Sequence, residues 1–166
     1  MPEEGHVIDR PNRRKASSKA TRAIVILLLL VSAAIVAIIS LGGWDTLEGA
    51  KPLQIAYIVL YVVLAYFVFR WSRGVLPLAA ALALVLLIFG AVSGPAWFDR
   101  DKTGLTDPAL DESILGLLSL ILVPIQLLLI AFALRGFQQA WNVEVEQPAD
   151  EPRGGPGRGD PAPAPA

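Results

Sequence analysis

The stretch AIVILLLLVSAAIVAIISL, residues 23–41, decides the fold, because its 19 consecutive residues carry no charged side chain. At about 1.5 Å of rise per residue, a helix of this length covers roughly the 30 Å thickness of a bilayer's hydrocarbon core. Three further apolar runs follow, and we predict spans at about residues 23–41, 52–70, 75–94 and 113–135. None of the runs alternates polar and apolar residues as a barrel strand does, so the spans should be helices.

The composition points to the same class of protein. Hydrophobic residues make up 54% of the 166 residues, and the mean hydropathy is +0.56. These residues are gathered into blocks, whereas a soluble domain would spread them periodically. The chain has no cysteine, which excludes disulfides, thiol catalysis and thiolate metal sites. We therefore predict an all-α membrane protein with four transmembrane helices in an antiparallel bundle, residues 23–141.

The distribution of cations predicts the orientation. Four spans place both tails and the turn Arg70–Gly74 on one side of the membrane. That side holds 11 of the 14 Lys and Arg residues, and the other side holds three. Cytoplasmic segments carry the excess of Lys and Arg, so both termini are predicted to be cytoplasmic. The turn is short enough to make the second and third spans antiparallel neighbours.

Aromatic and basic residues fall where the apolar runs end. Indole rings favour the membrane interface because they are apolar and still carry an N–H that needs a partner. Arginine side chains at the ends of spans can reach the headgroups while their stems stay in the apolar layer. The predicted interface anchors are Trp44, Trp71, Trp97, Trp141, Arg70 and Arg135.

Small residues predict where helices approach closely. On the third run Gly90 and Gly94 form a GxxxG pair, and Ala79 and Ala83 form a second pair with the same spacing. These pairs can serve the internal bundle or a contact with another chain, and the sequence does not choose between them.

No ionisable residue lies inside any run, which counts against a proton-driven transporter and an ion-selective pore. The deepest polar residues are Ser32, Gln54, Ser119 and Gln126. Gln126 follows Pro124, and two interpretations of it stay open. It either contacts a substrate or partner at a kinked position, or it forms a hydrogen bond between two spans.

The predicted external loop, residues 95–112, contains FDRDKTGLTDP. Asp99, Asp101, Thr103 and Asp107 fall at positions 1, 3, 5 and 9 of an EF-hand loop, but position 12 is Leu110 instead of glutamate. A weak calcium site is one interpretation, and a turn-rich solvated loop is the other. The loop's carboxylates are also the only candidates for a membrane enzyme. They have no His or Cys near them, so we predict no enzyme, no catalytic residue and no cofactor.

The two tails differ in character. Residues 1–22 form a polar, basic segment that is expected to be cytoplasmic and attracted to anionic lipid. Residues 142–166 are predicted to be a disordered cytoplasmic tail, rich in Pro, Gly and Ala. Residues 142–146 alternate polar and apolar side chains, which leaves an extended conformation and a docking role open for this part.

The segments WFDRDKTGLTDP and FALRGFQQAWNVEVE, which flank the fourth span, carry a resemblance over about the last two spans. They resemble a family of uncharacterised four-span membrane proteins from high-GC Gram-positive bacteria. The resemblance implies a bacterial plasma-membrane protein and assigns no catalytic residue.

Two functions remain in competition at this point. The first is an accessory, scaffold or assembly subunit of a membrane complex, whose partners are the lipid bilayer and other membrane proteins or a second copy of the chain. The second is a small transporter or channel for a neutral solute. Nucleic acid is not expected as a partner.

Overall fold

The computed structural model describes residues 6–47, 49–100 and 107–148, and four long apolar helices dominate it. All four are long and apolar enough to cross a membrane. In chain order the elements are strand β1 (His6–Asp9), the short helix α1 (Pro11–Arg14), the long helices α2 (Ala16–Gly42), α3 (Lys51–Phe69), α4 (Leu76–Phe98) and α5 (Glu112–Gln138), and strand β2 (Val145–Pro148).

The helices agree with the predicted spans in number and place, and three of them run further than predicted. Helix α2 begins seven residues before the apolar run, at Ala16, and α4 continues through Pro95 to Phe98. Helix α5 reaches Gln138 and begins with a cap, in which the Asp111 carboxylate accepts a hydrogen bond from the Ser113 N–H at 2.8 Å. The extension of α2 lies among polar residues, where hydropathy carries no signal for a span.

The four helices form an open bundle. Helix α5 packs along α4 and also contacts α2, and α2 packs on α3. Helices α3 and α4 have few direct contacts with each other. The short turn had predicted that these two helices would be antiparallel neighbours, but α4 packs mainly against α5. From here on, the end of the bundle that carries both tails is called the tail end, and the opposite end is called the loop end.

One narrow stripe of each helix is buried against the others, and the rest of its surface is exposed. On α5 the buried positions recur at alternating intervals of four and three residues, which is the spacing of knobs-into-holes packing between helices. In lipid the outward faces can be as apolar as the buried ones. Accordingly, Leu27 on α2 is 60% exposed whereas Leu29 is fully buried.

At the tail end the two chain termini pair with each other. Strands β1 and β2 form a two-stranded antiparallel ribbon, with Asp9 opposite Val145 and His6 opposite Pro148. This ribbon occupies the first part of the segment that was predicted to be disordered, and it takes up the extended conformation that the alternation at 142–146 had left open. The remainder of that segment, residues 149–166, lies outside the described residues.

Candidate functional site

A chain of hydrogen bonds joins three helices in the middle of the bundle. The Tyr61 O–H donates to Gln126 Oε1 at 2.9 Å, and Gln126 Nε2 donates to the Ser32 hydroxyl oxygen at 2.8 Å. The Ser32 hydroxyl in turn donates to the Leu28 carbonyl at 2.7 Å. Tyr61, Gln126 and Ser32 are all fully buried. This polar triad therefore links α3, α5 and α2, and Gln126 takes the interhelical role that was one of its two interpretations.

The small residues of α4 lie at its contact with α5. A Cβ atom added to Gly90 would stand 2.8 Å from the Ser119 carbonyl oxygen, and one added to Gly94 would meet Leu120 at 2.6 Å. A Cβ atom on Gly116 of α5 would be 3.1 Å from the Gly94 carbonyl oxygen. Ala79 and Ala83, the second predicted pair, are both fully buried. The two backbones thus approach closely because glycine leaves room for them.

A cleft opens between α3 and α4 toward the loop end, where the two helices separate. Its main cavity has a volume of about 200 Å³. All four long helices contribute to its wall, which is largely apolar. The lining includes Val36, Ile39, Leu53, Gln54, Tyr57, Leu86, Phe89, Ser93, Trp97 and Leu122.

The polar side chains around the cleft mostly bond to the protein. The Ser40 hydroxyl lies within hydrogen-bond distance of the Gln54 amide. The Tyr57 O–H donates to the Leu82 carbonyl at 3.4 Å, across the gap between α3 and α4. The Ser119 O–H donates to the Leu115 carbonyl of its own helix at 2.8 Å. With these bonds made, the wall presents mainly hydrocarbon to the space inside.

A second site at the tail end holds the two termini together, and we call it the tail clasp. Arg10 forms an ion pair with Glu144. Arg13 Nε donates to the Trp141 carbonyl at 3.0 Å, and its Nη2 donates to Asn142 Oδ1 at 3.1 Å. One guanidinium therefore donates hydrogen bonds to both a backbone and a side-chain oxygen of the C-terminal segment, which a lysine cannot do in the same geometry.

Trp141 is the centre of the tail clasp. Its side chain is fully buried and meets Trp71 edge-to-face, with 5.3 Å between ring centroids. Its Nε1–H donates to Gln139 Oε1 at 3.0 Å, so the buried indole nitrogen has a partner. The Arg22 guanidinium lies over Trp71, 4.4 Å from the ring centroid. The clasp thus combines aromatic packing with cation–π contacts.

The six predicted interface anchors fall into different environments. Trp44 is 41% exposed at the loop end, whereas Trp97 is 6% exposed. Trp71 and Trp141 pack on each other in the tail clasp. Arg70 and Arg135 are exposed, and Arg70 Nη1 donates to the Tyr66 hydroxyl at 3.1 Å. The rings of the two clasp tryptophans are held by the protein itself, and the interfacial position of all four tryptophans stays a prediction.

The predicted calcium ligands are only partly described. Asp101 and Thr103 lie outside the described residues, and Asp99 and Asp107 are exposed. Within residues 6–47, 49–100 and 107–148 no group of three or more His, Cys, Asp or Glu side chains is placed to hold a metal ion. Leu110, at the position of the EF-hand glutamate, donates its N–H to the Gly42 carbonyl at 3.1 Å. Leu110 thus links this loop to the end of α2.

Several residues of these sites were not singled out by the sequence, notably Tyr57, Tyr61 and Arg13. A weak signal existed for the tyrosines, since they are hydroxyl-bearing aromatic residues four positions apart inside an apolar run, where an O–H needs a partner. Arg13 was counted only as one of many cations in the basic tail. No family model, curated protein or solved structure matches the chain.

Proposed function

We propose that this integral membrane protein is an accessory or scaffold subunit of a membrane complex, and that the tail clasp is the surface its partner binds. The proposal includes the orientation inferred from the cations, with both termini in the cytoplasm, and the bacterial plasma membrane that the resemblance implies. The observation that carries it is the clasp, which organises two polar termini into one defined surface outside the apolar layer.

The clasp offers features that a protein partner can recognise. In the part of the chain that the structure describes, the ribbon contains only β1 and β2, so each strand keeps one edge open. An open edge can accept a further strand through main-chain hydrogen bonds. Lys15 and Lys19 are exposed on the segment that follows β1, and Arg14 pairs with Asp9 of that strand at 3.1 Å. An acidic, extended segment of another protein fits this combination of an open edge and positive charge.

The internal packing agrees with a supporting role. In the polar triad the buried polar side chains of three helices bond to one another, and α5 packs against the glycines of α4. The interior polar groups and glycines of the bundle are therefore in contact with other helices of the same chain, and the tail end stays available to a partner. The fully buried Trp141 ties the clasp to this bundle.

The test is crosslinking of the full-length chain in its native membrane, followed by purification in mild detergent. We expect a specific partner to be captured through the tail end. Arg13→Ala should reduce the captured amount several-fold because it releases the C-terminal segment. Arg135→Ala removes an equal charge from an exposed position outside the clasp and should leave the yield unchanged. A protein that runs alone and crosslinks to nothing would remove this proposal.

A transporter or channel for a neutral solute is the second candidate, and the cleft favours it, because Gln54 and Ser93 lie in its wall. The measurement is stopped-flow light scattering on proteoliposomes challenged with glycerol or urea. A permeability above that of protein-free liposomes, reduced by filling the cleft with Ser93→Phe, is the expected result for this function. Equal permeability of the two vesicle preparations would eliminate it.

A further inference from the structure

The cleft between α3 and α4 has the depth of one membrane leaflet. Its lining on α4 runs from Leu86 to Trp97. The eleven helical steps from Leu86 to Trp97, at about 1.5 Å each, give roughly 16 Å, close to half of a hydrocarbon core about 30 Å thick. Phe89 and Leu53 line the cleft and are 47% and 45% exposed. A molecule in the surrounding bilayer therefore reaches the cleft from the side, without passing through water.

A cation stands at the mouth of the cleft. A second cavity of about 180 Å³ adjoins the first and shares Leu47, Ser93 and Trp97 with it, and Arg100 completes its lining. The Arg100 guanidinium lies 5.6 Å from the centroid of the Trp97 ring. Among the described residues, its buried Nε has no hydrogen-bond partner. A buried donor without a partner is costly, and a phosphate oxygen is the acceptor that arginine matches best.

A second cation lies near the same mouth. Ala50 lines the cleft, and Lys51 follows it, with its Nζ 4.9 Å from the centroid of the Trp44 ring. Two basic residues thus stand at the headgroup end of a cleft whose interior is apolar. This division between a charged mouth and an apolar interior matches an amphiphile that carries a negative head.

The size of the cleft selects a hydrocarbon chain over a helix. A volume of about 200 Å³ is many times the roughly 10–15 Å³ of such space that one water molecule needs, so it accommodates a stretch of hydrocarbon chain. A helix some 10 Å across and 16 Å long would need over a thousand cubic ångströms, which is more than the free space of about 740 Å³ in and around the cleft.

We propose that the cleft binds an anionic phospholipid, with one acyl chain between α3 and α4 and the phosphate group at Arg100. This site is separate from the tail clasp and does not rest on the proposed scaffold role. The lipid fills the space where α3 and α4 separate, and its phosphate pairs with the Arg100 guanidinium, which lines the mouth.

The test uses the fluorescence of Trp97, which lines the cleft. The full-length protein is reconstituted in nanodiscs with increasing fractions of phosphatidylglycerol brominated on its acyl chains, and in parallel with brominated phosphatidylcholine. Bromine quenches indole emission on contact, and a Trp97→Phe variant subtracts the other three tryptophans. We expect Trp97 to be quenched at an anionic lipid fraction several-fold lower than the zwitterionic fraction required.

Two variants separate the head from the chain. Arg100→Gln should abolish the preference for phosphatidylglycerol, whereas Arg70→Gln, at the tail end, should leave it unchanged. Ser93→Phe fills the cleft and should reduce quenching by both lipids. Equal quenching by both lipids in the unmodified protein would overturn the proposal. Displacement of the brominated lipid by soluble glycerol phosphate would overturn it as well, because the headgroup alone would then suffice. A crosslinked second copy occupying the cleft would refute it too.

Discussion

Replacing Gln126 with leucine removes the amide that bridges Tyr61 and Ser32 and keeps a side chain of similar size at a fully buried position. The variant therefore tests the polar triad with little change in packing volume. It removes one hydrogen bond to α3 and one to α2, and it leaves the Tyr61 hydroxyl without its acceptor.

The expected loss follows from the number of bonds. Interhelical hydrogen bonds in membrane proteins contribute about 0.6 kcal/mol on average and up to ~1.7 kcal/mol. Gln126→Leu removes two of them, so we expect the free energy of unfolding to fall by about 1–3 kcal/mol. Tyr61→Phe removes one and should cost about half as much. In the double variant the shared bond is lost only once, which predicts a coupling energy of about 0.5–1.5 kcal/mol.

The assay is equilibrium unfolding in mixed micelles of lipid, mild detergent and sodium dodecyl sulfate, followed by far-UV circular dichroism. Ser119→Ala is the matched control, because Ser119 is a buried polar residue on the same helix whose O–H bonds to the Leu115 carbonyl of that helix. Paired with Tyr61→Phe, this control should add within about 0.5 kcal/mol. If Gln126→Leu is as stable as the unmodified chain, or if the coupling with Tyr61→Phe is zero, the bond chain across three helices does not stabilise the bundle.

Three further variants test other contacts. Gly90→Ala should destabilise by about 1–3 kcal/mol in the same assay, because the new methyl group meets the Ser119 carbonyl oxygen, which belongs to the backbone. Gly74→Ala, with nothing within 4 Å of the added atom, should be neutral, and equal effects would contradict the close approach. The Ser113 side chain and N–H hold the pKa of Asp111 below its usual 3.8, so the cap of α5 is present above about pH 3.8 and is lost as the pH falls through that lowered pKa. The NMR chemical shift of the Ser113 amide should therefore stay constant between pH 7 and 5 and change only below this range. Asp111→Asn should remove this dependence of the chemical shift on pH. A transition near neutral pH would contradict the cap. Ala140→Gly should raise the free energy of unfolding by about 0.5–1 kcal/mol, since Ala140 has a φ of 48°, where glycine is not strained; a loss of stability would show that the methyl group contributes more than the strain costs.

The spans were predictable because charge is excluded from the hydrocarbon layer, and this constraint acts on every residue of a run. The buried faces were not predictable for the same reason. Leu27 and Leu29 are the same residue two positions apart, and only the contacts with other helices make one exposed and the other buried. In lipid an outward leucine costs nothing, so hydrophobic periodicity, which identifies the core of a soluble helix, carries little information here.

The sites depended on contacts between distant parts of the chain. Gln126 was recognised as a polar residue in a span, but its partner Ser32 lies 94 residues away. The tail clasp joins Arg13 to residues 128 and 129 positions further along. The short turn between α3 and α4 predicts that these helices lie side by side, whereas the structure separates them. Tyr57 and Tyr61 bridge this separation, because their long side chains reach from α3 to hydrogen-bond acceptors on α4 and α5.

The order of helix contacts has a consequence for how the protein is made. Helices enter the membrane in the order of synthesis, and when α4 has been inserted, it has few contacts with α3. Its principal partner, α5, is still on the ribosome at that moment. A chain that stops before Glu112 would leave the glycine face of α4 bare in the lipid and the Tyr61 hydroxyl without its acceptor. Completion of the fourth span therefore supplies the residues that both α4 and Tyr61 need for their native contacts.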